Sequence, residues 1–168
     1  MRQFEAAAHA HDVEAVIACF SPDIVVRSPI TERIRFRGSE QVAELFRCVF
    51  DVVSDIRFYE TFGDGTPTQV IFWRGRVGRH YLEEANLLRI DEHGRIAEMT
   101  VFMRPVPGLL ALTAALSAAL ARRHPARAHT ARALAGTVAA LYRAGEPVIL
   151  ALVAAGTRTD RPVQNPAT

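Results

Sequence analysis

The spacing of apolar residues changes at residue 55, and that change limits the folds open to this chain. Ahead of it, Val42, Leu45, Phe46, Val49, Phe50 and Val53 recur every three or four residues behind Ser39, a candidate N-cap. That spacing predicts a helix with one buried stripe. Beyond it the period is two, in DIRFYETF (55–62), TQVIFWRGR (68–76), HYLEEANLLRI (80–90) and RIAEMTVFMR (95–104). The connections are GDGTP, a turn near Val77 and Gly78, and DEHG, all rich in turn formers. Four successive strands joined by short turns make an antiparallel meander.

Elements on either side complete an α+β chain in which a curved antiparallel sheet follows N-terminal helices. Phe4, Ala8, Val13, Val16, Ile17 and Phe20 predict a helix over 3–20, straight or bent near His11 and Asp12, ended by Ser21-Pro22-Asp23. A short strand, 24–28, is cut by Pro29 and leads through an arm to Gly38. After Pro105 and Pro107 the composition shifts. A helix over 108–123 carries Leu109, Leu112, Leu116 and Leu120 on one side, and alanine-rich helical stretches follow at 126–143 and 147–155. The expected division is a cone domain at 1–106, a helical extension at 107–156 and a flexible tail at 157–168. Helices of this kind pack on the sheet or across a dimer, and no apolar run reaches the roughly 18 to 20 residues that span a bilayer.

Composition narrows the partners. Apolar residues at 49% and charged residues at 23% are those of a globular protein. All 20 basic residues are arginine, but up to residue 104 they are interspersed with acids, 13 arginines against 16 Asp and Glu. Binding to nucleic acid would gather them on one face, so no nucleic-acid partner is expected, and no membrane. Cys19 and Cys48 lack metal or redox spacing and read as small buried hydrophobes. His9 and His11 lack a third ligand, so no metal is expected. The first residues have no apolar core of signal-peptide length, and a cytoplasmic location is expected.

One strand carries an unusual load. In HYLEEANLLRI, Glu83, Glu84 and Asn86 sit among apolar positions, and alternation sends either Glu83 or the pair Glu84 and Asn86 inward. The second choice puts a carboxylic acid inside an apolar body.

The order of elements, with HDVEAVIACFSPDIVVRSP, FRGSEQVAELF and RIDEHGRIAEM, resembles the nuclear transport factor 2-like superfamily and its SnoaL-like branch, over about residues 1–104. The resemblance implies a cone whose sheet wraps the N-terminal helices and leaves an apolar pocket for small hydrophobic ligands. Counting from the same motifs, the ketosteroid isomerase tyrosine falls on Phe4, its base on Ser28 and its protonated aspartate on Asn86, so that mechanism is not expected. The last-strand acid of limonene epoxide hydrolases falls on Val101, and Arg74 and Arg76 point outward if Trp73 points in. The count also turns Glu84, Asn86 and Leu88 inward, together with Gln69, Ile71 and Trp73 on the preceding strand and Met99, Val101 and Met103 on the last.

These assignments imply a cofactor-free acid–base enzyme acting on a hydrophobic, oxygenated small molecule by cyclisation, epoxide opening, isomerisation or dehydration. Glu84 is the expected acid or base and Asn86 the orienting group. Phe4, Ser28, Phe46, Gln69, Trp73, His80, Met99, Val101 and Met103 are the expected substrate contacts. The expected assembly is a homodimer. A non-catalytic binding or dimerisation module of the same fold is the competing expectation.

Overall fold

A computed structural model describes residues 1–123, so the helices expected at 126–143 and 147–155 and the tail at 157–168 lie outside the described residues. The elements are α1 (Arg2–His9), α2 (Val13–Ala18), β1 (Phe20–Arg27), β2 (Arg35–Arg37), α3 (Gly38–Val52), β3 (Ser54–Phe62), β4 (Thr68–Val77), β5 (His80–Ile90), β6 (Ile96–Arg104) and α4 (Val106–Arg123). They form a curved, open six-stranded sheet in the order β2-β1-β6-β5-β4-β3, with helices against it. The α+β class expected from the sequence is the class found.

The N-terminal helical segment breaks where the sequence carries His11 and Asp12. His11 has φ 56°, and the Asp12 carboxylate then accepts the Ala15 N–H at 3.0 Å, capping α2. Ser21-Pro22-Asp23 belongs to β1, which begins at Phe20 and not at residue 24. Pro22 is accommodated because the pairing of β1 with β6 is irregular between Phe20 and Val25. Ser39 does not cap α3; the cap position is Arg37, whose N–H donates to the Gln41 side-chain oxygen at 3.0 Å.

From β3 to β6 the meander is antiparallel throughout, as the period of two requires. Its last turn closes around Asp91, whose Oδ1 accepts the His93 N–H at 2.9 Å and the Arg95 N–H at 2.8 Å. Gly94 takes φ 76° there, which a residue with a Cβ rarely adopts. The parallel pairing of β1 with β6 brings together segments far apart in sequence. Arg27 holds it from the surface, with Nε and Nη2 donating to the Glu98 carboxylate at 2.8 and 3.0 Å.

The concave face of the sheet meets α1, α2 and α3 across one core containing Phe4, Val16, Phe20, Ile24, Val42, Ile71, Leu88 and Met99. The Phe4 ring touches Phe20, Phe46 and Phe58 at centroid distances of 5.7, 6.2 and 6.2 Å, so helix and sheet residues share one aromatic cluster. A second core, with Trp73, Val77 and Leu82, is covered by Leu112 of α4. Among the described residues no helix is long and apolar enough to cross a membrane.

Two contacts hold α4 in place. At its end, Arg123 donates to Asp51 at 2.9 Å and lies 3.7 Å from Glu44, both on α3. At its start, Gly108 lies so close to β5 that a Cβ there would sit 2.3 Å from the Tyr81 carbonyl oxygen. Alanine is favoured over glycine inside a helix by about 1 kcal/mol, yet a backbone carbonyl cannot swing aside as a side-chain tip does. Gly108→Ala is therefore expected to lower stability by about 1–3 kcal/mol, the usual cost of overpacking. Urea denaturation checks the sign: a higher midpoint would mean that helix propensity outweighs the contact.

Candidate functional site

The two cores do not fill the cone. Between them lies a cavity of about 260 Å³, near the lower end of the roughly 300–1,000 Å³ of small-molecule pockets. Each wall has a sequence reason. On the sheet side, period two aims Trp73, Glu84, Asn86, Met99, Val101 and Met103 inward; on the helix side, α1 and α3 present Phe4, Leu45, Phe46 and Phe50. The fourth wall is α4, whose Leu109, Leu112, Leu116 and Leu120 are spaced three or four apart and all face the cavity.

Glu84 is the only ionisable side chain among the described residues lining this space. It is 8% exposed, and its Oε1 accepts the Trp73 indole N–H at 3.1 Å. Burial pushes its carboxyl up to about 7, against the opposing effect of hydrogen bonds from Asn86 and Trp73, which favour the charged form. Among the described residues no arginine compensates the charge there, because strand pairing sets Trp73 and Met103 beside Glu84 on one side and the other.

Its neighbour Glu83 has the opposite surroundings. On the convex face, it accepts the Tyr59 hydroxyl at 2.7 Å and pairs with Arg104. The Tyr59 hydrogen bond, helped by Arg104, holds the Glu83 carboxyl below the usual range. Two adjacent acids are thus pushed in opposite directions, Glu83 by its partners and Glu84 by its burial.

Asn86 is 2% exposed, between Ile71 and Val101 on the neighbouring strands. Among the described residues its side-chain oxygen meets no hydrogen-bond donor. Of the hydroxyls in the wall, Ser28 accepts the Ile30 N–H at 3.2 Å and Thr113 donates to the Leu109 carbonyl at 2.7 Å.

Nine of the residues singled out in the sequence line this cavity: Phe4, Ser28, Phe46, Trp73, Glu84, Asn86, Met99, Val101 and Met103. Gln69 and His80 are not among its walls. Gln69 is buried on the inner face as its parity requires, but it sits opposite Leu88 near the turn and donates to the Thr66 carbonyl at 3.2 Å. His80 pairs with Val77 at the opposite hairpin. Parity tells which face a strand residue occupies, not how far along the cone it lies. The α4 leucines were missed as site residues, although their spacing was plain, because a stripe signals burial without naming its partner.

Comparison with known proteins agrees with this geometry. The SnoaL-like domain family matches residues 1–99. A steroid delta-isomerase from Pseudomonas aeruginosa has 25% identity and a TM-score of 0.67, over 73% of this chain and 89% of that one. An uncharacterised bacterial protein with a cystatin-like fold from Silicibacter pomeroyi has 21% identity and a TM-score of 0.66, over 75% and 92%. The epoxide hydrolase/cyclase-like enzyme SalBIII, which has a role in pyran ring formation in the polyether salinomycin, is 15% identical with a TM-score of 0.54, over 62% and 88%. No curated protein matches the chain. With more than half of its length matched and the cone in place, the chain belongs to the SnoaL-like domain family, on the nuclear transport factor 2-like fold.

Proposed function

We propose that this protein is a cofactor-free acid–base enzyme acting on a hydrophobic, oxygenated small molecule, with Glu84 moving the proton and Asn86 orienting the substrate. The observation that carries this reading is a lone carboxyl group in an apolar cavity, held by burial at about 7. Near neutral pH both of its forms are populated, which is the condition a general acid or base needs. As an acid, neutral Glu84 gives its proton to a substrate oxygen as a C–O bond opens; as a base, the carboxylate takes a proton from carbon or from an attacking hydroxyl. Trp73 and Asn86 hold the carboxyl group in place for either step. The similarity to a steroid isomerase and to an epoxide hydrolase/cyclase-like enzyme supports chemistry of this class. A cavity with one ionisable group also suits a ligand carrier, and the two readings part at Glu84.

Turnover of a panel of hydrophobic epoxides, hydroxyketones and enones separates them. Glu84→Gln is expected to cut kcat at least a hundredfold, the lower range of a general acid–base contribution, while ligand binding persists. Unchanged kcat would remove Glu84 from the mechanism, and binding without turnover of any panel member would favour the carrier.

The same residue makes a pH prediction. Its folded pKa lies above the ordinary 4.5, so the folded state holds the proton more tightly than the unfolded chain. Stability is undiminished below about pH 4.5 and falls as pH rises toward about 7, by a total on the order of 3 kcal/mol. Glu84→Gln is expected to match the wild type at pH 4.5 and exceed it above pH 7, as thermal denaturation across that range would show. Parallel curves would mean that the carboxyl is not desolvated.

We also propose a cytoplasmic homodimer joined through the convex sheet face. Phe62 and Phe102 are 55% exposed there beside Tyr59 and Phe72, an apolar patch of the kind that pairs surfaces, and free Cys19 and Cys48 suit a reducing compartment. Sedimentation is expected to give a dimer, and Phe102→Glu a monomer. A monomeric wild type would overturn the assembly.

A further inference from the structure

The two groups that bond the Glu84 carboxyl differ in what they can offer it. Asn86 carries a carbonyl oxygen and an N–H donor group on one amide, and a half-turn presents either of them to the acid, so it can follow Glu84 through both protonation states. Trp73 cannot. An indole has one N–H and no acceptor, and this one donates to Oε1 at 3.1 Å. A neutral carboxyl group has one carbonyl oxygen and one hydroxyl oxygen, of which the carbonyl oxygen is the better acceptor. The bond to Trp73 therefore makes Oε1 the carbonyl oxygen and leaves the hydrogen to Oε2.

The ring is not free to turn away. Trp73 is 6% exposed, within the core that Leu112 of α4 covers. Two residues along β4 and on the same buried face, Gly75 has no side chain, and the ring passes close over its backbone. A Cβ there would lie 3.1 Å from Trp73 Cζ3 and 3.0 Å from both Val53 Cγ1 and the Ser54 carbonyl oxygen. Register completes the placement, since Trp73 and Glu84 are direct partners on adjacent antiparallel strands. Among the described residues no charge competes with the indole. The elements lining the cavity, from α1, α3 and α4 to β1, β3, β4 and β6, bring no other ionisable side chain to face Glu84, and Arg74 and Arg104 stand opposite Glu83 on the convex face.

We infer that Trp73 is a positioning residue that makes Glu84 exchange its proton through Oε2 alone. The inference goes beyond the proposed acid–base function and rests on it for its catalytic meaning. Acting as an acid, Glu84 breaks its Oε2–H bond while the substrate oxygen forms a new O–H bond, and the charge left on the carboxylate is met at Oε1 by the indole N–H. Acting as a base, Oε2 takes the proton and the indole stays where it is. The same bond loosens the hold on the proton. Burial raises the Glu84 carboxyl, and the hydrogen bonds of Asn86 and Trp73 are the reason it stops at about 7.

Two measurements on the full chain read this without turnover. Infrared spectroscopy at about pH 5, where the acid is neutral, isolates the Glu84 C=O stretch as the band lost in Glu84→Gln. A hydrogen bond to a carbonyl oxygen lowers that frequency, so Trp73→Phe is expected to raise it. A band that stays or falls puts the indole on the hydroxyl oxygen and overturns the inference. Titration of the protein labelled with carbon-13 glutamate follows the Glu84 carboxyl carbon by NMR. Its midpoint is expected to rise from about 7 to about 8 or above in Trp73→Phe, because a hydrogen bond to a charged group amounts to about one to two decades of proton affinity. A midpoint that stays, or falls as water admitted by a merely loosened core would make it fall, also overturns it. Should Trp73→Phe not fold, 5-fluorotryptophan can replace the one tryptophan of the chain, keeping its shape and making its N–H a stronger donor. Band and midpoint are then both expected to fall, and any other result overturns the inference. The Glu84→Gln kinetics fail independently: spectra as expected, with kcat unchanged in that variant, leave Trp73 its part in placing the proton and remove the acid–base reading.

Discussion

The parity of β5 is the constraint on which the site depends. Period two allows two arrangements of this strand, related by a slip of one residue, and they exchange Glu83 for Glu84 on the concave face. The choice is settled by the rest of the strand. Leu82 and Leu88 are both fully buried, and they share a face with Glu84 and Asn86, while Tyr81 and Arg89 share the other with Glu83. The opposite parity would bury Arg89 and expose two leucines, a change for which one acid in place of another offers no compensation. Flanking strands on both sides lock the register, with ten consecutive pairs to β4 and a nearly unbroken run to β6. Glu84 is thus inward because its neighbours must be.

Placement alone does not set how tightly a carboxyl group holds its proton; its surroundings do. Glu83 and Glu84 are joined by one peptide bond and differ by the side of a sheet one residue thick. Outside, Tyr59 and Arg104 give Glu83 a hydrogen bond and an opposite charge, and the group stays ionised. Inside, Trp73 and Asn86 offer hydrogen bonds but no charge, and desolvation prevails. An arginine at Met103 or Trp73 would reverse that balance. The apolar residues bracketing Glu84 therefore do chemical work as well as packing, since they are the reason its proton is held near neutral pH.

How much of this could be read from residues alone varies with the range of the interaction. Strands and turns were legible because alternation and turn chemistry are local, as at DEHG, where Asp91 and Gly94 build the turn by themselves. Glu84 and Asn86 were legible as a pair sharing a face, and the family resemblance chose which face. Distance in sequence hides the rest. The parallel contact of β1 with β6 joins residues such as Arg27 and Glu98, separated by the entire meander, and nothing local announces it. Gln69 shows a subtler limit. Its inward parity was right, yet its depth along the strand removes it from the cavity, and depth depends on the curvature of the sheet. Ser39 is a good capping residue by type, but Gly38 already begins the helix and the chain caps it one turn earlier from Gln41.

The helix α4 shows how a local pattern acquires chemical meaning from what it covers. Its leucines could bury themselves against any apolar surface; docked here, they turn an open concave face into an enclosed one. Leu112 joins Trp73 in one core, and Trp73 is the residue that holds the Glu84 carboxyl. Water reaching Trp73 would reach Glu84 too. Desolvation of the acid consequently depends on α4 remaining seated, through the close approach of Gly108 to Tyr81 at one end and the Arg123 contacts with α3 at the other. The arm between β1 and β2 leaves the remaining opening, where Ile30 and Ile34 line the cavity while staying 51% and 45% exposed. That apolar lining runs outward from Glu84 to this arm, so the surroundings that desolvate its carboxyl group extend well beyond the residues that touch it.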